Sequence, residues 1–160
     1  MSAPPLIEIT FELWTELVAH LQSQGGGVRE SGAFLLGRNT STTRMVTGFL
    51  PYEKLQADAL HEDYVLLTAK SFSKLWTVCQ EHHVSVVADV HTHRFGPQQS
   101  HSDKSNPMIA LAGHIALIVP KFAQGEIQIS DIGVHIYRGN HQWTSQFGTS
   151  VPTLIRLVEF

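Results

Sequence analysis

The segment VSVVADVHTH, residues 84–93, constrains this 160-residue chain more than any other. Residues 84–90 are rich in valine and bounded by polar residues, which marks a buried strand. That strand runs without a break into His91-Thr92-His93. Side chains alternate faces along a strand, so His91 and His93 point the same way while Thr92 points into the opposite layer. On a helix the two rings would stand about 200° apart. Two imidazoles therefore converge on one point at the end of a buried strand, and the remaining segments must fit around that junction.

Helical and strand periodicities alternate through the rest of the chain. Thr10 can cap a helix carrying Leu13, Trp14, Leu17, Val18 and Leu21 at three-and-four spacing, and Gly25, Gly26 and Gly27 stop it. GAFLL (32–36) and RMVTGFL (44–50), separated by Asn39, Thr40 and Ser41, read as a hairpin. Residues 51–67 carry no clear period. A second helix is expected over 69–82, capped by Thr68, with Phe72, Leu75, Trp76 and Cys79 on one face. After a loop rich in Gly, Pro, Gln and Ser, the pattern predicts a short helix at 104–112 and strands near 114–119, 126–131 and 134–138. The expectation is an α/β chain: a single mixed domain spanning 1–160.

Composition narrows the class. At this length folding buries roughly 68–70% of the surface of the unfolded chain, enough for one sizeable core. The longest apolar runs, such as IALIV at 115–119, fall far short of the roughly 18 residues of a membrane span, and the N-terminus lacks a basic start followed by an apolar run. A cytoplasmic location and no membrane partner are expected. A net charge of −3 offers no basic excess to follow a phosphate backbone, so nucleic acid is not expected as a partner. The single cysteine, Cys79, excludes an internal disulfide and any Cys-based zinc knuckle, and on a helix face it reads as a small core residue.

Ten histidines against 25 charged residues make metal binding the question to ask. A catalytic zinc takes three protein ligands and keeps a fourth position for water. Beside His91 and His93, the nearest third candidate is Asp103, where a loop can fold back toward the strand end and a carboxylate suits a helix start. The proton of the water needs a carboxylate that does not bind the metal, and Glu30, just ahead of GAFLL, is the best placed. Asp89 shares the odd-numbered face of the histidines and is the alternative base. Other histidines have plain readings: His82 and His83 at a helix end, His114 and His135 as satisfied groups in strands, His101 as a solvent-exposed loop residue. His61-Glu62 lacks the second histidine of an H-E-x-x-H helix.

The set Glu30, His91-Thr92-His93 and Ser100-His101-Ser102-Asp103 reads as E…H-[ST]-H…S-x-x-D, which resembles the signature of the JAMM (MPN-plus, JAB) zinc metalloproteases. ESGAFLLGR and GHIALIVP resemble that family's opening and later core strands, so the likeness covers most of the chain. The resemblance implies a curved mixed β-sheet flanked by helices, of MPN/JAB type with cytidine-deaminase-like layering. It implies zinc (Zn2+) held by His91, His93 and Asp103, with Glu30 as general base and acid and Ser100 supporting the oxyanion. The implied activity is that of an isopeptidase removing a ubiquitin-like modifier from conjugates or processing its precursor. The small bacterial JAB deconjugases, which stand beside activating and conjugating enzymes in antiviral operons, are the most similar branch. Two departures are visible: Arg94 stands where many members have proline, and six residues separate His93 from Ser100, a short gap that leaves Ser102 as the alternative to Ser100. A non-catalytic scaffold of the same fold, and a zinc hydrolase of small-molecule amides, are the other classes this sequence admits.

Overall fold

The computed structural model describes residues 6–159. The first half of the chain runs β1 (Leu6–Thr10), α1 (Phe11–Gly25), β2 (Gly32–Asn39), β3 (Thr43–Pro51), α2 (Tyr52–Leu55) and α3 (Ala69–His82). It continues through β4 (Ser85–Thr92), α4 (His101–Ser105), β5 (Ile115–Val119), β6 (Gly133–Gly139), β7 (Gln142–Gln146) and β8 (Ile155–Val158). Eight strands form one mixed sheet in the order β7-β6-β5-β4-β2-β3-β1-β8. β2 pairs antiparallel with both β3 and β4, and β4 pairs parallel with β5. The expected α/β class with a mixed sheet and flanking helices is therefore observed. Among the described residues no helix is long and apolar enough to cross a membrane.

The sheet separates two cores. On one face α1 lays Trp14, Leu17 and Leu21 against Ile7, Ile9, Leu35, Val90, Leu117 and Val134. On the other, Leu75 and Cys79 of α3 meet Phe34, Leu36, Tyr52 and Leu55. Each fully buried Leu, Ile or Phe contributes roughly 1.5–3 kcal/mol, so the first and larger cluster carries most of the hydrophobic stabilisation. α1 begins and ends as its sequence requires. The Thr10 hydroxyl accepts from Leu13 N–H at 3.0 Å, and Gly26 takes the left-handed conformation at φ 57° that closes the last turn.

Several expectations need correction. The helix expected over 104–112 is the shorter α4, because Ser100 caps it early and Asn106, preceding Pro107, is steered away from helical geometry. Residues 126–131 form no strand. Ile127 and Ile129 do pack against the α1-side core, which produces the alternating pattern, but Ile129–Asp131 is a 3-10 turn. In α3 the buried line is Ser71, Leu75 and Cys79, while Trp76, one position off that stripe, is 48% exposed. β1, which lies between β3 and β8, and the edge strands β7 and β8 are elements that the pattern reading did not find.

Candidate metal centre

β4 and its neighbours deliver the site. Gly32 of β2 pairs with His91 of β4, and the two strands continue as a hydrogen-bonded pair past the end of the sheet. Ser31 N–H donates to Thr92 Oγ1 at 3.0 Å, Thr92 N–H donates to Ser31 O at 2.9 Å, and the Ser31 hydroxyl donates to Leu21 O of α1. Thr92 thus points into the α1 layer, as the alternation predicts, and locks the residue beside Glu30 to the residue between the two histidines. His93 is held in turn by its N–H to Val119 O at 3.0 Å. Glu30 N–H donates to His61 O at 2.9 Å, which brings the 60–65 turn alongside.

The loop after β4 folds back through a capping box. The Ser100 hydroxyl oxygen accepts from Asp103 N–H at 3.0 Å, and the Asp103 Oδ2 accepts from Ser100 N–H at 2.8 Å. That reciprocal pair aims the Asp103 carboxylate at the strand end. His91 Nε2 and His93 Nε2 stand 3.0 Å apart, with Asp103 Oδ1 at 3.3 Å from the first and Oδ2 at 3.0 Å from the second. Glu30 also faces this point: it offers an oxygen that lies, with the two histidine nitrogens, in a group spanning no more than 4.8 Å. Glu30 and His91 are buried. The structure thus brings together Glu30, His91, His93 and Asp103, with Ser100 behind Asp103.

The donor set fits a zinc ion. Metal–ligand bonds of about 2.0–2.1 Å in a tetrahedron place neighbouring ligand atoms about 3.3 Å apart; the two imidazole nitrogens stand 3.0 Å apart, and the Asp103 carboxylate meets them through different oxygens, Oδ1 at 3.3 Å from His91 and Oδ2 at 3.0 Å from His93. Two imidazoles and a carboxylate are ordinary zinc ligands. Electrostatics agree. Burial alone would raise the Asp103 pKa, yet hydrogen bonds from His91 and His93 and from Ser100 N–H hold it well below the usual carboxylate range. Burial pushes His91 down, but the Asp103, Glu30 and Asp89 carboxylates outweigh it and raise its pKa. Both shifts favour a positive charge on the imidazoles beside an ionised Asp103. Glu30 goes the other way: burial raises its pKa, against the pull of His91 and His93.

Other candidates resolve by their contacts. Asp89 lies on the histidine face, but its carboxylate is bonded to His114 Nε2 at 2.6 Å in a buried pair and is already engaged. Cys79 is buried in the α3 core, where burial raises its thiol pKa. Arg94 pairs with Glu62 at 2.7 Å and lies 5.6 Å from the Phe122 ring centre, so the position where proline is common here supplies an ion pair beside the site. His101 is exposed, as expected.

Three further groups shape the site: Tyr64 and Trp143, which sequence reasoning passed over, and His135, the satisfied strand histidine that it expected. His135 donates through Nε2 to the Pro97 carbonyl at 2.9 Å and accepts at Nδ1 from the Ser145 hydroxyl at 2.7 Å, tying the β4–α4 loop to β6 and β7. Burial lowers its pKa to about 4, with His91 adding to the effect. Trp143 Nε1–H donates to Lys104 O at 3.1 Å and anchors α4. Tyr64 and Trp143 line a narrow cleft of about 90 Å³ beside His91 and Asp103, together with Ser100, Ser102 and Met108. Only the strand pairing shows that His135, through Ala116, stands in one row with Asp89.

No family model matches the sequence. The fold is similar to solution structures of two bacterial proteins. One, from Desulfitobacterium hafniense, shares 16% identity over 97% of this chain and 94% of its own, with a TM-score of 0.71. The other, from Salinibacter ruber, shares 17% identity over 87% of this chain and 88% of its own, with a TM-score of 0.60. At these identities the likeness is one of fold.

Proposed function

We propose that this chain is a JAMM-type zinc isopeptidase that removes a ubiquitin-like modifier from conjugates or processes its precursor. The observation that carries the reading is the convergence of His91 Nε2, His93 Nε2 and the Asp103 carboxylate through contacts of 3.0 and 3.3 Å, with the buried Glu30 carboxylate facing them. His91, His93 and Asp103 would hold the ion. Zinc, when bound, would polarise the scissile carbonyl and bring the pKa of a coordinated water to about 7.

The chain's own groups do the rest. Glu30 takes the proton of the attacking water as its oxygen bonds to the carbonyl carbon. It then delivers that proton to the lysine nitrogen as the C–N bond breaks. Its raised pKa suits both halves of that exchange. The Ser100 hydroxyl oxygen is taken up by Asp103 N–H, while its proton is left to donate to the developing oxyanion. The cleft beside His91 is far smaller than the roughly 300–1,000 Å³ of a small-molecule pocket, which favours an extended modifier tail over a compact amide. Activating and conjugating enzymes of a bacterial defence system are the partners this reading assigns.

Glu30→Gln tests it. The variant should keep about one zinc per chain and cleave a modifier fusion about 10² to 10⁴ times more slowly than wild type. Loss of zinc in Glu30→Gln would make Glu30 a ligand, and unchanged turnover would place the base elsewhere.

A further inference from the structure

Two buried polar atoms near the centre have no hydrogen-bond partner: His91 Nδ1 and the Tyr52 hydroxyl. Tyr52 opens α2, away in sequence from Glu30, His91, His93 and Asp103, and its side chain is fully buried. A Cβ added at Gly32 would collide with the Tyr52 ring and with the Val90 carbonyl. The phenol ring therefore occupies the space that a side chain at position 32 would fill. Gly32 is the direct cross-strand partner of His91, and directly paired residues of an antiparallel ladder project on the same face. The phenol and the His91 ring are thus neighbours on one face of the sheet.

An imidazole that binds a metal through Nε2 carries its proton on Nδ1, and that N–H is ordinarily donated to an acceptor which fixes tautomer and ring orientation. A neutral phenol oxygen can accept it. Building on the zinc reading above, we propose that Tyr52 is a positioning residue whose hydroxyl oxygen, through one buried water, accepts the Nδ1–H of His91 and holds the ring in its metal-binding tautomer. Gly32 is glycine because the phenol must reach this place.

Zinc affinity of the full chain, measured by competition with a chromophoric chelator, tests the assignment in Tyr52→Phe. That variant keeps the ring and loses only the oxygen. Its zinc affinity should fall about 10- to 100-fold, while the melting temperature of the metal-free protein stays level or rises. Phe34→Leu is the packing control, because Phe34 meets the Tyr52 ring edge-on at 5.0 Å without touching its chemistry. It should lower the melting temperature and leave zinc affinity unchanged. A wild type that binds zinc and a Tyr52→Phe that binds it equally well would overturn this inference alone. A wild type that takes up no zinc would overturn the proposed function and this inference with it.

Discussion

The two faces of the sheet are built from the same strands and serve opposite ends. The face against α1 is apolar from β1 to β6, where Ile7, Leu35, Val90, Leu117 and Val134 form an unbroken layer. The face against α3 is apolar only around Phe34, Leu36 and Tyr52, then turns polar as it crosses β4 toward β7, where Asp89, His91, His135 and Ser145 follow. β4 belongs to both: Val90 faces one layer and His91 the other. A single strand can therefore present a stabilising residue and a proposed metal ligand in adjacent positions, and changes at the two should separate stability from chemistry.

The sharpest break is His93→Ala, which should abolish zinc uptake and leave turnover no higher than that of zinc-free wild type. Its metal-free fold should melt close to wild type, since a partly exposed ligand is lost rather than core. Leu35→Ala on the opposite face should do the reverse: about 2–5 kcal/mol of stability lost in denaturant titration, with zinc bound normally by the protein that remains folded. Equal effects of the two changes on melting and on zinc would dissolve the distinction between faces.

His135 tests the polar half of the second face through pH. Its folded pKa of about 4 lies below the ordinary 6.5, so the unfolded chain takes up this proton first. The stability tied to the neutral ring should be complete above pH 6.5, decline as pH falls toward 4, and level off below that. The loss should be on the order of 3 kcal/mol. His135→Asn should flatten the stability profile across that window, and a profile of the same shape in both proteins would show that the ring protonates freely. The smallest effect on stability is expected from Ser100→Ala, which removes one half of the capping box and, on the proposed mechanism, the oxyanion donor, so that turnover should fall about 10²- to 10³-fold. It should cost about 0.5–2 kcal/mol and weaken zinc binding modestly through Asp103, both readable by calorimetry.

The parts legible in the sequence are those governed by local period and short spacing. VSVVADV announced β4, alternation put His91 and His93 together, and Thr10 with Gly26 bracketed α1. Glu30 was placed by its position ahead of β2, and the hydrogen bonds between Ser31 and Thr92 supply the reason. What escaped depends on pairing between distant segments. β1 lies between β3 and β8, so its neighbours are remote in sequence and its five residues carry little signal alone. Asp89 looked like a free carboxylate because its partner, His114, stands 25 residues away. Tyr52 fell in the stretch with no clear period, and its place depends on the absence of a side chain at Gly32.

The capping box at Ser100 changes what metal uptake has to accomplish. Fixing one residue's backbone costs roughly 1–2 kcal/mol, and a proposed third ligand that follows β4 by ten intervening residues would ordinarily leave that cost to an arriving ion. Here two reciprocal hydrogen bonds set Asp103 in place, and His135 fastens the middle of the loop at Pro97. On the proposed reading the centre is a mould set before casting: an ion would meet side chains already at their stations, with little rearrangement of the chain around it.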